Sequence, residues 1–446
     1  MNVSSDLIGK RVSHPVFGEG VVEGVRWSNS YLQVRFSRRV TIWLPSSHVE
    51  FRRKEDRPVP KRVRLPEPKR LVGDRIKARR MIEAFRHGIV PHRDIEDFTF
   101  GRDEELGEVE RCFEELEGRG GSALIVEGAY GAGKTHFLDY IYELATKRGY
   151  LVAKAELDGW EVTPAKPWRV YRELTKSMRF EGGGFRELLT EASRLEPLDP
   201  PHTFLTPALR KIRKGKADPL LWEWIAGERN PRFYLNEYGS YWRLPVLLTH
   251  STASDIYSYI LSGIGYLARR IGLKGFVVLL DEAETVFWLW RDQEKGLGFL
   301  KGLIYLTLNY PRLTEKGGGR DLGLYHSGVR TTPYLYKIPS YVFLMAAFTP
   351  VWSFAYRQIK DLAANRVIPL SGLTLENYYQ MFESLIVLYQ SAYPEARLNH
   401  GLDYVFQLLI NREDEGVRFF LKASVEALDL IRHHPQENLL NMLRYG

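Results

Sequence analysis

The chain has 446 residues, 44% apolar and 26% charged, which is length for about three domains with real cores and too apolar for a disordered protein. Its single cysteine, Cys112, excludes an internal disulfide and a cysteine-built zinc site. No apolar run approaches the ~18 residues of a spanning helix, and the start MNVSSDLIGKRV has no apolar signal core, so a cytoplasmic protein with no membrane contact is expected. The formal charge is +8, but residues 52–80 alone hold 13 Lys/Arg against 4 Asp/Glu, and the rest of the chain sums to −1. So local a surplus suits a polyanion better than it suits a mere solvated linker.

In chain order, residues 1–52 alternate in Leu32-Gln33-Val34-Arg35-Phe36 and Val40-Thr41-Ile42-Trp43-Leu44. Turn signals at Gly18-Glu19-Gly20, Ser28-Asn29-Ser30 and Ser37-Arg38-Arg39 separate the runs, and the pattern predicts a small all-β, SH3-like barrel. Residues 53–78 carry Pro58, Pro60, Pro66 and Pro68 among basic residues and read as an extended linker. A helix is predicted over 74–86, and another from Gly101-Arg102-Asp103-Glu104, with acids in its first turn where the dipole favours them. A strand over 122–126, a glycine turn over 128–135, a helix over 137–147 and a strand over 150–157 follow. Residues 179–250 read as a mostly helical insertion, 253–271 as a helix, 276–280 and 341–348 as buried strands, and everything from 373 on as helical.

The strongest chemical signal is Gly128-Ala129-Tyr130-Gly131-Ala132-Gly133-Lys134-Thr135, a G-x-x-x-x-G-K-T loop between a strand and a helix. Glycines let the backbone wrap a phosphate with its N–H groups inward, at a helix N-terminus that favours anions. Lys134 is the cation for the β- and γ-phosphates, and the Thr135 hydroxyl suits Mg²⁺. The cofactor-binding set expected is Gly128 to Thr135 with the adjoining His136, together with Gly101 and Arg102; ATP and Mg²⁺ are the cofactors. The apolar run 276–280 ends in Asp281-Glu282. Asp281, at the carboxyl end of a buried parallel strand, is expected to hold Mg²⁺, and Glu282 to act as general base on water. Thr349 ends the strand 341–348 and is expected to sense the γ-phosphate. Arg366, before a short apolar run, and Arg418, opening a C-terminal helix, offer guanidinium forks for it.

Two resemblances rest on these residues. Gly9-Lys10-Arg11-Val12-Ser13-His14-Pro15-Val16-Phe17-Gly18-Glu19-Gly20 resembles the Tudor/SH3-like module of UvrD-type helicases, over about forty residues; such modules dock on proteins or nucleic acid. The order P-loop, Asp-Glu strand, threonine strand tip, arginine and Gly416-Val417-Arg418 looks like an AAA+ ATPase near the archaeal replication initiators. In that branch the counterparts of Thr349, Arg366 and Arg418 serve as sensor 1, an arginine finger given to a neighbouring subunit, and sensor 2. More closely, Gly88 to Arg102, the P-loop, Val170-Tyr171-Arg172-Glu173-Leu174, the tract from Leu221 to Gly227, that from Gly272 to Glu284, and that from Leu428 to Pro435 resemble the ATP-binding proteins of the BREX phage-defence system, the BrxC/BrxD group.

The fold class implied is α/β: an AAA+ P-loop NTPase over 79–370 with an insertion at about 179–250, a helical lid over 371–446, and the β module and linker ahead of it. From Lys134 to Asp281 is 147 residues, so the insertion is required, and too little chain follows Arg418 for a winged-helix domain. DNA would then meet residues 52–80, the β module, or the loop 311–340, where Arg312, Lys316, Arg320, Arg330 and Lys337 interleave with Tyr325, Tyr334 and Tyr336. The resemblance implies a homo-oligomer and a protein partner, such as a helicase, for the N-terminal module. A DNA-dependent ATPase, a nucleotide-gated scaffold or loader, and a STAND-like signalling switch without DNA all remain open at this point.

Overall fold

The computed structural model describes residues 7–8, 10–14, 18–26, 31–37, 40–46, 50–51, 75–228, 244–328, 331–364, 366–396, 398, 402–410 and 416–434. The chain divides into two compact units, Met1–Leu65 and Pro66–Gly446. In the first, alternation makes strands β1 (Arg11–His14), β2 (Gly18–Arg26), β3 (Tyr31–Ser37), β4 (Val40–Pro45) and β5 (Glu50–Phe51). They pair antiparallel in the order β4-β3-β2-β1-β5, and Val12, Val22, Leu32 and Val34 form their small core. The expected basic linker falls outside the described residues up to 74, where helix begins.

The second unit runs α1 (Arg75–Arg86), α2 (Asp103–Arg119), β6 (Gly121–Glu127), α3 (Lys134–Lys147), β7 (Leu151–Glu156) and α4 (Pro167–Ser177). Two short strands, β8 (Arg179–Phe180) and β9 (Gly183–Gly184), lead into α5 (Phe185–Ser193), α6 (Leu205–Arg213), α7 (Pro219–Ile225) and α8 (Ser254–Arg270). Then come β10 (Phe276–Asp281), α9 (Gln293–Thr307), β11 (Val342–Phe348), α10 (Phe354–Leu362) and β12 (Val367–Pro369). Helices α11 (Leu375–Ala392), α12 (Leu402–Ile410) and α13 (Val417–His433) close the described chain.

The sheet order is β12-β6-β11-β10-β7-β8-β9, parallel from β12 to β7 and antiparallel beyond. Every residue of β10 and β11 is buried, as a sheet covered on both faces requires. Successive residues point to opposite faces. Leu124, Val126, Val277, Leu279, Phe343 and Met345 pack under α2 and α3, while Ile125, Val278, Leu280, Leu344 and Ala346 pack under α4, α8 and α9. At roughly 1.5–3 kcal/mol for each fully buried Val, Leu or Phe, these two layers supply most of what holds the sheet.

A third core belongs to the C-terminal helices, and it includes a helix from the other end of the unit. Ala78, Met81, Ile82 and Phe85 of α1 pack with Phe382, Leu385 and Tyr389 of α11 and with Phe420, Val425 and Leu428 of α13. Arg86 pairs with Asp429, whose Oδ1 also accepts from Tyr389 at 2.5 Å, and Arg75 and Arg79 donate to the Ala392 carbonyl at the end of α11. The α/β class, the parallel sheet and the helical C-terminal part are as expected from the sequence.

Candidate nucleotide-binding site

Strand β6 delivers the chain to Gly128, and the loop turns into α3 at Lys134. Gly133 has φ +90°, a conformation that a side chain strains and that the turn into the helix demands. The loop is fastened on both sides. The Gly128 N–H donates to the Phe348 carbonyl at 3.1 Å and the Leu370 N–H to the Glu127 carbonyl at 2.6 Å. The Glu127 carboxylate takes the Tyr356 hydroxyl and, at 3.0 Å, the Lys360 ammonium, both from α10.

Lys134 is buried, and its Nζ donates to the Gly128 carbonyl at 3.1 Å and to Thr349 Oγ1 at 2.9 Å. The expected sensor and the loop lysine, 215 residues apart, are thus in direct contact. Asp281 is fully buried at the end of β10. Its Oδ1 accepts the N–H of Glu282 at 3.1 Å, and its Oδ2 makes no hydrogen bond. Glu282 sits at φ +52°, ψ +36°, in left-handed backbone rare for a residue with a side chain. That conformation costs about 1–2 kcal/mol and turns the chain sharply off the strand. Burial first, then the charges of Glu284 and Asp281, push the Glu282 carboxyl above its ordinary value, while Lys134 pulls the other way. A carboxylate at the strand tip with a raised proton affinity is suited to taking a proton from water.

These residues fit a divalent cation through the orphaned Asp281 Oδ2 and the Thr135 hydroxyl at the first turn of α3. One carboxylate is what Mg²⁺ uses when phosphates and water complete its shell. Among the described residues there is no group of three or more His, Cys, Asp or Glu arranged to hold a metal by itself.

The other expected residues are placed differently. Arg102 is buried, and its fork reaches the Ala132 carbonyl, the Ser371 carbonyl and Glu105, each at 3.0 Å. It braces the loop from beneath and joins it to the segment leading to α11. Gly101 packs so closely on Asn377 that a Cβ would lie 2.3 Å from its side-chain oxygen. His136 contacts Thr99 Oγ1 at 3.0 Å. Ala129, Tyr130 and Gly131 form the exposed crest of the loop. Arg418, the second residue of α13, is exposed, with its backbone against Gly88.

Arg366, expected as a finger given to a neighbouring subunit, has partners within its own chain. Its fork grips both oxygens of Glu115 on α2, takes Ser122 Oγ at 3.1 Å, and lies 3.9 Å from the Cys112 sulfur. Ser122 is the second residue of β6, at the end of the sheet opposite the loop. The loop 311–340, expected to meet DNA, carries part of its aromatic set into the core. Tyr334 and Tyr336 are buried, donating to the carbonyls of Tyr325 and Pro200, and Arg312 pairs with Asp321.

Two features escaped the sequence reading. Lys154, mid-strand in β7, pairs with Asp139 on α3 at 2.6 Å and lies 3.6 Å from Asp281 Oδ2; a lysine inside an otherwise apolar strand was the available signal. Secondly, Tyr130, Trp160, Trp288, Trp290, Trp352 and Phe354 are 67–96% exposed, and all follow the carboxyl ends of β6, β7, β10 and β11, on the side of the loop.

Residues 74–191 match the family model of the BREX system ATP-binding protein BrxC/D. Among solved structures, the Aeropyrum pernix ORC1 protein in complex with DNA is similar at 13% identity and TM-score 0.33, over 77% of this chain and 63% of that one. Drosophila ORC bound to DNA is similar at 13% identity and TM-score 0.33, over 82% and 64% respectively. The chain spans less than two thirds of the length of either. No curated protein matches. The fold is α/β with a mostly parallel sheet and a helical C-terminal part, residues 74–191 resemble the BREX ATP-binding group as expected, and among the described residues no helix is long and apolar enough to cross a membrane.

Proposed function

We propose that the chain is a Mg²⁺-dependent ATP hydrolase of a BREX-like phage-defence system that works on DNA with further subunits. The observation that carries this is the meeting of Lys134 Nζ with Thr349 Oγ1 above the loop, with the orphaned Asp281 and the strained Glu282 on the adjoining strand. Lys134 and the loop amides bind the β- and γ-phosphates, and Thr349 fixes where the lysine charge sits. Mg²⁺ held by Thr135 and Asp281 would supply positive charge to the same oxygens. Glu282 takes a proton from the attacking water as its oxygen bonds to the γ-phosphorus, and the bond to the β,γ-bridging oxygen breaks to leave ADP. Arg418 is the chain's own remaining candidate for the γ-phosphate, acting through lid movement.

DNA contact is assigned to the basic segment 52–80, a helicase-like partner to the N-terminal module, and assembly of further copies to the aromatic rim around the loop. The test is ATP hydrolysis by wild type and Glu282→Gln, each with and without double-stranded DNA at two salt concentrations. Turnover that rises with DNA, weakens with salt and vanishes in the variant supports the reading. Turnover indifferent to DNA would move the assignment to a nucleotide-gated scaffold.

A further inference from the structure

The nearest cation to Asp281 Oδ2 that makes an ion pair is Lys154. Strands β7 and β10 pair with Lys154 opposite Leu279 and Glu156 opposite Asp281, so Lys154 lies one strand over and two residues back. Its backbone is fixed from the outer side, because Ser177 Oγ accepts its N–H at 2.9 Å and donates to its carbonyl at 2.6 Å. The ammonium is only 16% exposed and stands between two carboxylates, 2.6 Å from Asp139 and 3.6 Å from Asp281. Asp139 comes from α3, five residues after Lys134, so it belongs to the helix that the phosphate loop feeds.

A buried carboxylate with no compensating cation is costly, and a lysine closed on its free oxygen would contest that oxygen with a metal. The observed spacing avoids both. Lys154 is near enough to pair with Asp281 at 3.6 Å, and its 2.6 Å contact with Asp139 holds it about 1 Å short of closing on Oδ2. We propose that Lys154 is a positioning residue for Asp281 that competes with the divalent cation, and that Asp139 sets the strength of that competition by keeping the ammonium on its own side. This rests on the nucleotide-site reading above and adds a residue pair that tunes its metal requirement.

The two partners then have opposite effects. In Asp139→Asn the ammonium loses its tighter partner and closes on Asp281, so more Mg²⁺ is needed. In Lys154→Met a competing positive charge is gone, so less is needed. Substitutions of groups that orient metal ligands typically move metal affinity 10–100-fold.

The experiment titrates Mg²⁺ into the full-length protein with a fluorescent, non-hydrolysable ATP analogue, and in parallel follows Mg²⁺-induced thermal stabilisation with that analogue. The half-saturating Mg²⁺ is expected to rise about tenfold or more in Asp139→Asn and to fall several-fold in Lys154→Met. Lys154→Gln replaces the methionine variant if that does not fold. A purely structural ion pair would lower the melting temperature of both variants and leave both Mg²⁺ midpoints where they were; that result, or midpoints moving in the same direction, overturns the proposal. A wild type whose analogue binding ignores Mg²⁺ would instead overturn the nucleotide-site reading.

Discussion

Replacing Arg366 by alanine separates a structural arginine from one that completes a neighbour's site. The side chain donates twice to Glu115 and once to Ser122, and is itself one-third exposed. Hydrogen bonds to a charged partner contribute about 1.5–3 kcal/mol when sheltered. Partial exposure reduces this, and Glu115 keeps Arg119 at 2.6 Å as a second partner, so no bare charge is left behind. A loss of about 1–2 kcal/mol is expected, which for a unit of this size lowers the melting temperature by about 1–3 °C. Burial raises the Glu115 carboxyl, but the hydrogen bonds from Arg366 and Ser122 and the charges of Arg366 and Arg119 outweigh it and hold the group below its ordinary value. A depressed carboxylate stabilises above its unfolded-state pKa and loses that contribution as pH falls through the folded-state value. The variant's deficit should therefore be complete at neutral pH and shrink in acid. Thermal denaturation of wild type, Arg366→Ala, Glu115→Gln and the double variant measures this, with a coupling of about 1 kcal/mol expected between the two sites. An Arg366→Ala protein with unchanged stability and no ATPase as an assembled oligomer would refute the structural assignment and restore the finger.

Three further outcomes follow from the site. Thr349→Val removes the hydroxyl that holds Lys134 and should lower kcat roughly 10–100-fold, as expected for one hydrogen bond to a charged group, with little change in melting temperature. Because Glu282 must be ionised to accept a proton and its carboxyl is raised, kcat should fall on the acid side with a midpoint above the ordinary glutamate range. The same raised value means that ionised Glu282 opposes folding, so Glu282→Gln should melt at or above the wild-type temperature at neutral pH while losing turnover.

The loop and the Asp281-Glu282 tip were legible because each is a local motif whose chemistry is written in consecutive residues. The buried strands were legible for a similar reason, since an unbroken apolar run has few other uses. What failed depended on distant partners. β12 is three residues whose strand character comes from pairing with Ile125, Val126 and Glu127. Arg366 read as a free fork because its partner Glu115 lies 251 residues away. The tyrosines of 311–340 looked like surface readers among cations, yet Tyr334 and Tyr336 fill the core beside α8. Helix α1 was expected as a helix, but nothing in its sequence said that its apolar face would pack on α11 and α13.

That last placement has a mechanical consequence. The lid joins the sheet through two covalent strands of chain, the stretch before α2 and the stretch after β12, and Arg102 ties both to the loop by holding Ala132 and Ser371 at once. A body attached along one edge by two pivots turns like a door and does not wander like a tethered ball. Any shift of the loop backbone around a phosphate moves the frame in which that door hangs.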